Sequence, residues 1–397
     1  MLSRRRFLQN VLAGAGGLAL ASLPACRKQA PQGLAALAAQ QVFDPELKIY
    51  YPAGCGLRVV ARSGAVVANT GYTWHGAPDG GACFSLRELG VKEAGWIYVS
   101  NSELPDLPDS GRHDLHAGGA SALRFDGEGQ VSAAYAILDG TRRNCAGGAT
   151  PWQTWLSCEE VPDGLVYECD PLGRRAAVPR PALGRFFHEA AAWDPYSGSI
   201  YLTEDANDGC LYRFKPRLSG DLSAGILEVA VAGKSEGMLE WRLLPDPSAH
   251  QLPCRQQVPE ALHFRGAEGI VAAAGTVTFA TKRDNRVWRY DLRTQQLRVI
   301  YDVKDALLPV LKGVDNLAIA PGGDVLVAED EGNMQIVVLD KQNQVYPLLT
   351  IEGQELSEVC GPAFSPDGRR LYFSSQRGAS GLSNGGITYE LTFPFAV

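Results

Sequence analysis

The chain repeats one pattern six times: an apolar run of β-forming residues that ends in a burst of acidic or polar ones. The six segments are 97–103, 155–160, 200–205, 277–282, 325–330 and 371–376. Val325-Leu326-Val327-Ala328 running into Glu329-Asp330 shows the form. Each reads as a buried strand whose C-terminal end emerges into a polar space. Turns such as Asp194-Pro195-Tyr196-Ser197-Gly198, Ala320-Pro321-Gly322-Gly323-Asp324 and Ser365-Pro366-Asp367-Gly368 precede three of them. There proline presets the bend and glycine takes its left-handed position. In several repeats a further strand follows, as in Cys210-Leu211-Tyr212-Arg213-Phe214 and Val287-Trp288-Arg289-Tyr290-Asp291. The unit recurs roughly every 45 to 75 residues, the spacing of four-stranded propeller blades with insertions. The expected fold is all-β, a six-bladed β-propeller, with either 57–67 or 387–393 completing a blade begun at the other end of the chain. A sandwich would use the same strands but would not gather six equivalent polar ends at one place.

Composition narrows the partners more than the fold. The 44 glycines and 24 prolines among 397 residues suit many tight turns. The formal charge is −7, and the leader carries three arginines and no acid, so the rest of the chain stands near about −10. Such an acidic balance argues against nucleic acid and anionic membranes as partners, and asks the site itself to supply positive charge for any anionic substrate.

The leader is Ser3-Arg4-Arg5-Arg6-Phe7-Leu8-Gln9 followed by a weakly hydrophobic, glycine-rich stretch over 11–23. It reads as a twin-arginine export signal, too short for the roughly 20 residues that span a bilayer. Leu23-Pro24-Ala25-Cys26 resembles a lipobox. The expected location is the periplasm or cell envelope, with membrane contact only through a lipid on Cys26. Three parts follow: the signal over 1–26, an alanine- and glutamine-rich tether over 27–43, and the propeller over 44–397. Eight cysteines lie beyond Cys26, an even number that invites disulfides in an oxidising compartment without showing which would pair.

Carboxylates at one end of radially repeated strands converge on a point, which makes the chain a cation-binding candidate. The most specific stretch is Thr150-Pro151-Trp152-Gln153-Thr154-Trp155-Leu156-Ser157-Cys158-Glu159-Glu160. A thiol followed by two carboxylates offers one soft and two hard ligands, a mixture suited to iron together with calcium. Read alone, the same stretch is equally a buried cysteine beside two solvated glutamates. Further acids recur as Asp205 in Thr203-Glu204-Asp205, and as Glu189, Glu268, Asp315 and Glu358 just ahead of apolar runs. Carboxylates at such positions are costly to bury unless paired or metal-bound.

The series Thr150 to Glu160, Leu183-Gly184-Arg185-Phe186-Phe187-His188-Glu189, Tyr201-Leu202-Thr203-Glu204-Asp205, Gly266-Ala267-Glu268-Gly269 and Asp315-Asn316-Leu317 resembles the PhoX-type alkaline phosphatases. The resemblance extends over roughly 44–397, in a shorter chain. It implies a six-bladed propeller, export by the twin-arginine route, and hydrolysis of phosphate monoesters with iron and calcium. It implies Cys158 and Glu189 as iron ligands, and Glu159, Asp205 and Glu268 among the iron and calcium ligands. Asp315, Glu329 and Glu358 follow from motifs that also occur as plain propeller turns. Arg265 and Glu358 are assigned to the catalytic side. Arg265 stands one position earlier than the family's arginine, with Gly266 at the aligned place. The expected substrate is a small phosphate ester and the expected state a monomer. A calcium-dependent propeller hydrolase of another class, such as a lactonase or a phytase-like enzyme, and a non-catalytic propeller with a structural calcium remain alternatives.

Overall fold

A computed structural model describes residues 33–104, 118–306, 309–330 and 333–397. The segment expected as an export leader, Cys26 and the first part of the expected tether lie outside the described residues. All six recurrent segments are strands at the same place in six sheets: Gly95–Ser102, Trp155–Glu159, Ser199–Glu204, Thr276–Thr281, Val325–Glu329 and Arg370–Ser375. Each is the second strand of an antiparallel blade. The first strands, Pro78–Ser85, Asn144–Ala149, His188–Asp194, Ala267–Ala273, Val314–Ile319 and Val359–Phe364, touch one another in sequence and ring a common axis. The fold is the expected six-bladed propeller, its blades numbered here 1 to 6 in that order.

Ring closure uses both candidate segments. Ile387–Thr392 is the third strand of blade 6, and Gly56–Arg62 pairs with it as the fourth. The ends of the chain thereby share one sheet. The stretch expected as a tether up to residue 43 differs from expectation in its second half. Leu34–Ala38 forms a helical turn, and Gln41–Asp44 and Ile49–Pro52 form a hairpin that extends blade 5 through Ile49 opposite Ile351. The physical reason is the spacing of apolar side chains hidden in an alanine-rich sequence. Leu34, Ala35 and Ala38 are buried, and Leu34 and Ala38 pack beside Leu348 and Leu349.

Among the described residues six apolar clusters hold the ring, one at each junction between blades. Leu156 and Cys158 of blade 2 meet Ile200 and Leu202 of blade 3, for example, and Tyr372 of blade 6 meets Tyr98 and Phe125 of blade 1. Because side chains alternate along a strand, Val325 and Val327 face blade 4 while Leu326 and Ala328 face blade 6. Near the axis the backbones approach directly. A Cβ on Gly80 would lie 2.4 Å from the Ala146 Cα, and one on Gly269 would lie 2.5 Å from the Leu317 N. The axis is narrowed there to a cavity of about 30 Å³ lined by Gly80, Ala146, Ala190, Gly269 and Gly361, so the polar end forms a closed-bottomed bowl.

Candidate metal centre

Every first strand carries a one-residue bulge, just after its first pair in blades 1 to 5 and one pair later, after Cys360 opposite Ser374, in blade 6. The pairs are Pro78 with Ser102, Asn144 with Glu159, His188 with Glu204, Ala267 with Thr281, Val314 with Glu329 and Val359 with Ser375. A bulge leaves a residue out of the ladder and re-aims its neighbours. The residue after each first partner is Asp79, Cys145, Glu189, Glu268, Asp315 and Cys360. The residue after each second partner is Glu103, Glu160, Asp205, Lys282, Asp330 and Gln376. One repeated backbone device therefore brings two rings of functional groups to the mouth of the axis.

Among the described residues, four groups of three ligand atoms, each within 4.8 Å of one another, form a continuous arc: Asp79–Glu103–Cys145, Cys145–Glu160–Glu189, Glu189–Glu268–Asp315 and Asp315–Asp330–Glu358. The Cys145 Sγ donates to Glu189 Oε1 at 3.3 Å and lies 3.7 Å from Asp79 Oδ2. The Gln376 amide spans Asp79 at 2.6 Å and Glu103 at 2.8 Å. Burial, and then neighbouring carboxylates, hold Asp79, Glu189 and Glu358 well above the usual carboxylate range. Burial does the same to Glu268, and it pushes Glu160 up to about 8, with Glu103 adding to the effect. The cations at the mouth are Lys282, Arg143, Arg283 and Arg377, paired respectively with Asp315, Glu103, Asp205 and Glu358. They are fewer than half the number of carboxylates. Two buried carboxylate atoms of the arc, Asp79 Oδ1 and Glu268 Oε1, have no hydrogen-bond partner among the described residues. Unpartnered buried carboxylate oxygens are what a bound cation would resolve. Carboxylates with one thiol make a donor set that fits hard cations beside one that accepts sulfur.

Of the expected site residues, the structure brings together Glu189, Glu268, Asp315 and Glu358. Asp205 stands at the edge, with the Arg283 guanidinium at 3.2 Å. Cys158 lies elsewhere. It shares the face of Leu156, fully buried in the junction of blades 2 and 3, and burial pushes its thiol pKa up. The thiol within the ligand groups is that of Cys145, whereas the Cys360 thiol donates to the Pro78 carbonyl at 3.0 Å. Glu159 and Glu329 also lie elsewhere, because each turns back to close its own blade. Glu159 accepts the N–H groups of Arg142 and Leu165, each at 3.0 Å, and Glu329 accepts those of Lys312 at 2.6 Å and Gln335 at 3.2 Å. The residues that join the ligand groups are the next ones, Glu160 and Asp330. Arg265 is exposed on the rim, and its side chain forms no ion pair among the described residues.

Glu103, Glu160, Lys282, Asp330 and Gln376 each end one of the recurrent polar bursts, but sequence reasoning did not single out Asp79, Cys145 or Asp330 as site residues. The missing signal is an acid or thiol directly followed by a small residue: Asp79-Gly80, Cys145-Ala146, Glu189-Ala190 and Glu268-Gly269. His188, the neighbour of Glu189, makes its hydrogen bond away from the mouth. Its Nε2 hydrogen-bonds the Gly184 carbonyl at 3.0 Å, and burial lowers its pKa to about 3, which keeps the ring neutral.

The loop-closing role of Glu329 has a measurable consequence. Glu329→Ala leaves two partly buried N–H groups without their acceptor, a loss of up to about 1–3 kcal/mol each. We expect a lower Tm by calorimetry with metal content near wild type. A variant that keeps its Tm and loses metal would place Glu329 among the ligands after all.

A sequence profile described as alkaline phosphatase PhoX matches residues 93–167 and 162–288. The chain belongs to the PhoX alkaline phosphatase family. The matched stretches carry Glu103, Cys145, Glu160, Glu189, Asp205, Glu268 and Lys282, the mouth residues of blades 1 to 4 except Asp79. Among solved structures the PhoX of Pseudomonas fluorescens, in complex with vanadate, a transition state analogue, superposes with a TM-score of 0.72 at 17% identity, covering 87% of this chain and 96% of that one. A Bacteroides thetaiotaomicron protein of unknown function superposes with a TM-score of 0.51 at 8% identity, covering 85% of this chain and 76% of its own. At such identities the likeness is one of fold. No curated protein matches the sequence.

Proposed function

We propose that this PhoX-family chain is an exported, monomeric phosphatase that hydrolyses small phosphate monoesters, with iron and calcium held at the mouth of the propeller. The observation that carries the reading is the arc of buried carboxylates about the Cys145 thiol. Asp79, Glu103, Cys145, Glu160 and Glu189 would hold the metal, with Cys145 and Glu189 the iron ligands. Bound cations would supply positive charge against the phosphoryl oxygens, where charge is spread in the transition state. Arg377 and Arg143, at the open edge of the bowl, would orient the ester by hydrogen bonds from their planar forks. The narrow axis below confines the phosphate to the mouth. A calcium-only propeller hydrolase has no use for a thiol among its carboxylates, which favours the phosphatase over that alternative. The twin-arginine leader and the lipobox-like Cys26 support export to the periplasm or cell envelope, with any membrane contact through a lipid there.

The test is metal analysis of natively exported protein, followed by phosphate release from a panel of monoesters before and after chelation. We expect activity to fall below detection on chelation and to return with added metal. Full turnover in metal-free protein would refute the reading. Chelation also has a pH signature. With folded-state carboxyls raised to about 6 at Asp315 and about 8 at Glu160, the folded metal-free state binds protons more tightly than the unfolded one. Its stability therefore falls as pH rises from roughly 4, the usual carboxyl range, through those values. Metal should flatten that slope.

A further inference from the structure

Equivalence of the blades isolates one residue. The position after the second strand is Glu103, Glu160, Asp205, Lys282, Asp330 and Gln376 in blades 1 to 6, so an ammonium stands where four of the other five blades place a carboxylate. The Lys282 Nζ lies 3.2 Å from Asp315 Oδ2 and 3.9 Å from Glu268 Oε1, and it pairs with Asp330. Those acids belong to two of the four ligand groups, Glu189–Glu268–Asp315 and Asp315–Asp330–Glu358. On the same side the Arg377 guanidinium is 2.9 Å from Glu358 and 4.0 Å from Asp330.

The opposite side is charged differently. Asp79, Glu103, Glu160 and Glu189 surround Cys145, and Arg143 is the guanidinium that pairs with two of them, Glu103 at 2.8 Å and Glu160 at 3.3 Å. Asp79 Oδ1 is left without a hydrogen-bond partner among the described residues, in a side chain only 2% exposed.

We propose that Lys282 is a built-in stand-in for a metal cation. Its ammonium neutralises the acids of blades 4 and 5 from inside the ligand arc. Metal ions are thereby confined to the thiol side, blades 1 to 3, and the chain carries one divalent ion fewer than a neutral residue at 282 would allow. A divalent ion placed among Glu268, Asp315 and Asp330 would stand within contact range of Nζ, where like charges in a partly desolvated site repel strongly. The inference rests on the metal-dependent reading above and concerns how many ions the arc holds and where.

The experiment measures metal per chain by mass spectrometry in wild type, Lys282→Met, Lys282→Gln and Lys282→Arg after equilibration with calcium, and the Tm of chelated protein titrated with calcium. We expect Lys282→Met and Lys282→Gln to hold one more divalent ion per chain than wild type. Their Tm should also rise more steeply with calcium, while Lys282→Arg stays at the wild-type number. Should the neutral variants fold poorly, Lys282→Gln with Asp330→Asn keeps the local charge balance and should return to wild-type stoichiometry. Equal metal content and equal calcium response in wild type and Lys282→Met would overturn the inference, and so would a loss of metal in that variant. A wild type devoid of metal would refute the phosphatase reading and this inference together, which separates the two failures.

Discussion

Cys145→Ala protein is expected to lose iron and to hydrolyse phosphate monoesters about 100-fold more slowly than wild type, or worse, while its fold persists. The thiol touches two carboxylates of the arc and belongs to two of the four ligand groups. Its removal takes away the soft donor, and even changes one step removed from a metal cost about 10- to 100-fold. Its pKa is raised by burial and by Asp79 and Glu189, so it binds as thiolate only when a cation offsets the surrounding acids. Cys158→Ala is the control. It trims one atom from the junction of blades 2 and 3 and should cost about 1 kcal/mol of stability, with metal and turnover unchanged. Iron retained in Cys145→Ala and lost in Cys158→Ala would reverse the assignment.

The second large effect is expected at Glu189. Glu189→Gln removes a charge at the point where the arc passes from the thiol side to the acids of blades 4 and 5, since Glu189 is shared by both groups. A loss of roughly 100- to 1,000-fold in kcat/KM, the scale of removing one preorganised electrostatic contact, should accompany reduced metal content. Glu358→Gln should lose far less, because the Arg377 guanidinium already neutralises Glu358 at 2.9 Å. Similar losses at the two positions, measured with metal content, would mean that Glu358 is a ligand of equal weight.

Both predictions turn on residues that the sequence places unequally well. Glu189, Glu268, Asp315 and Glu358 were legible because an acid ahead of an apolar run is expensive unless it has a partner. Cys158 and Glu159 were chosen because they sit together in a conspicuous motif. Alternation along Trp155–Glu159 instead sends Cys158 to the face of Leu156. Glu159, Glu204 and Glu329 occupy one register and all close their own blades. Glu204 does so through the Cys210 N–H at 3.3 Å and the Tyr212 hydroxyl at 2.7 Å. In Cys158-Glu159-Glu160, Thr203-Glu204-Asp205 and Ala328-Glu329-Asp330 the second acid of each doublet is the one that faces the axis.

The amino-acid sequence by itself determined the six strands with polar ends, the turns before them and hence the propeller, because strand alternation and turn chemistry act over a few neighbouring residues. It also determined that carboxylates would gather at one end. Which carboxylates meet, and that Cys145 joins them, was decided only by the tertiary structure. Six bulges shift the register of six first strands, and the backbones of different blades approach at glycines such as Gly80 and Gly269. Asp79 and Glu358, far apart in the chain, come to one site because blade 6 is closed by a strand from near the beginning, Gly56–Arg62. A contact set by ring closure and by a one-residue shift between strands leaves no periodic trace in either strand alone.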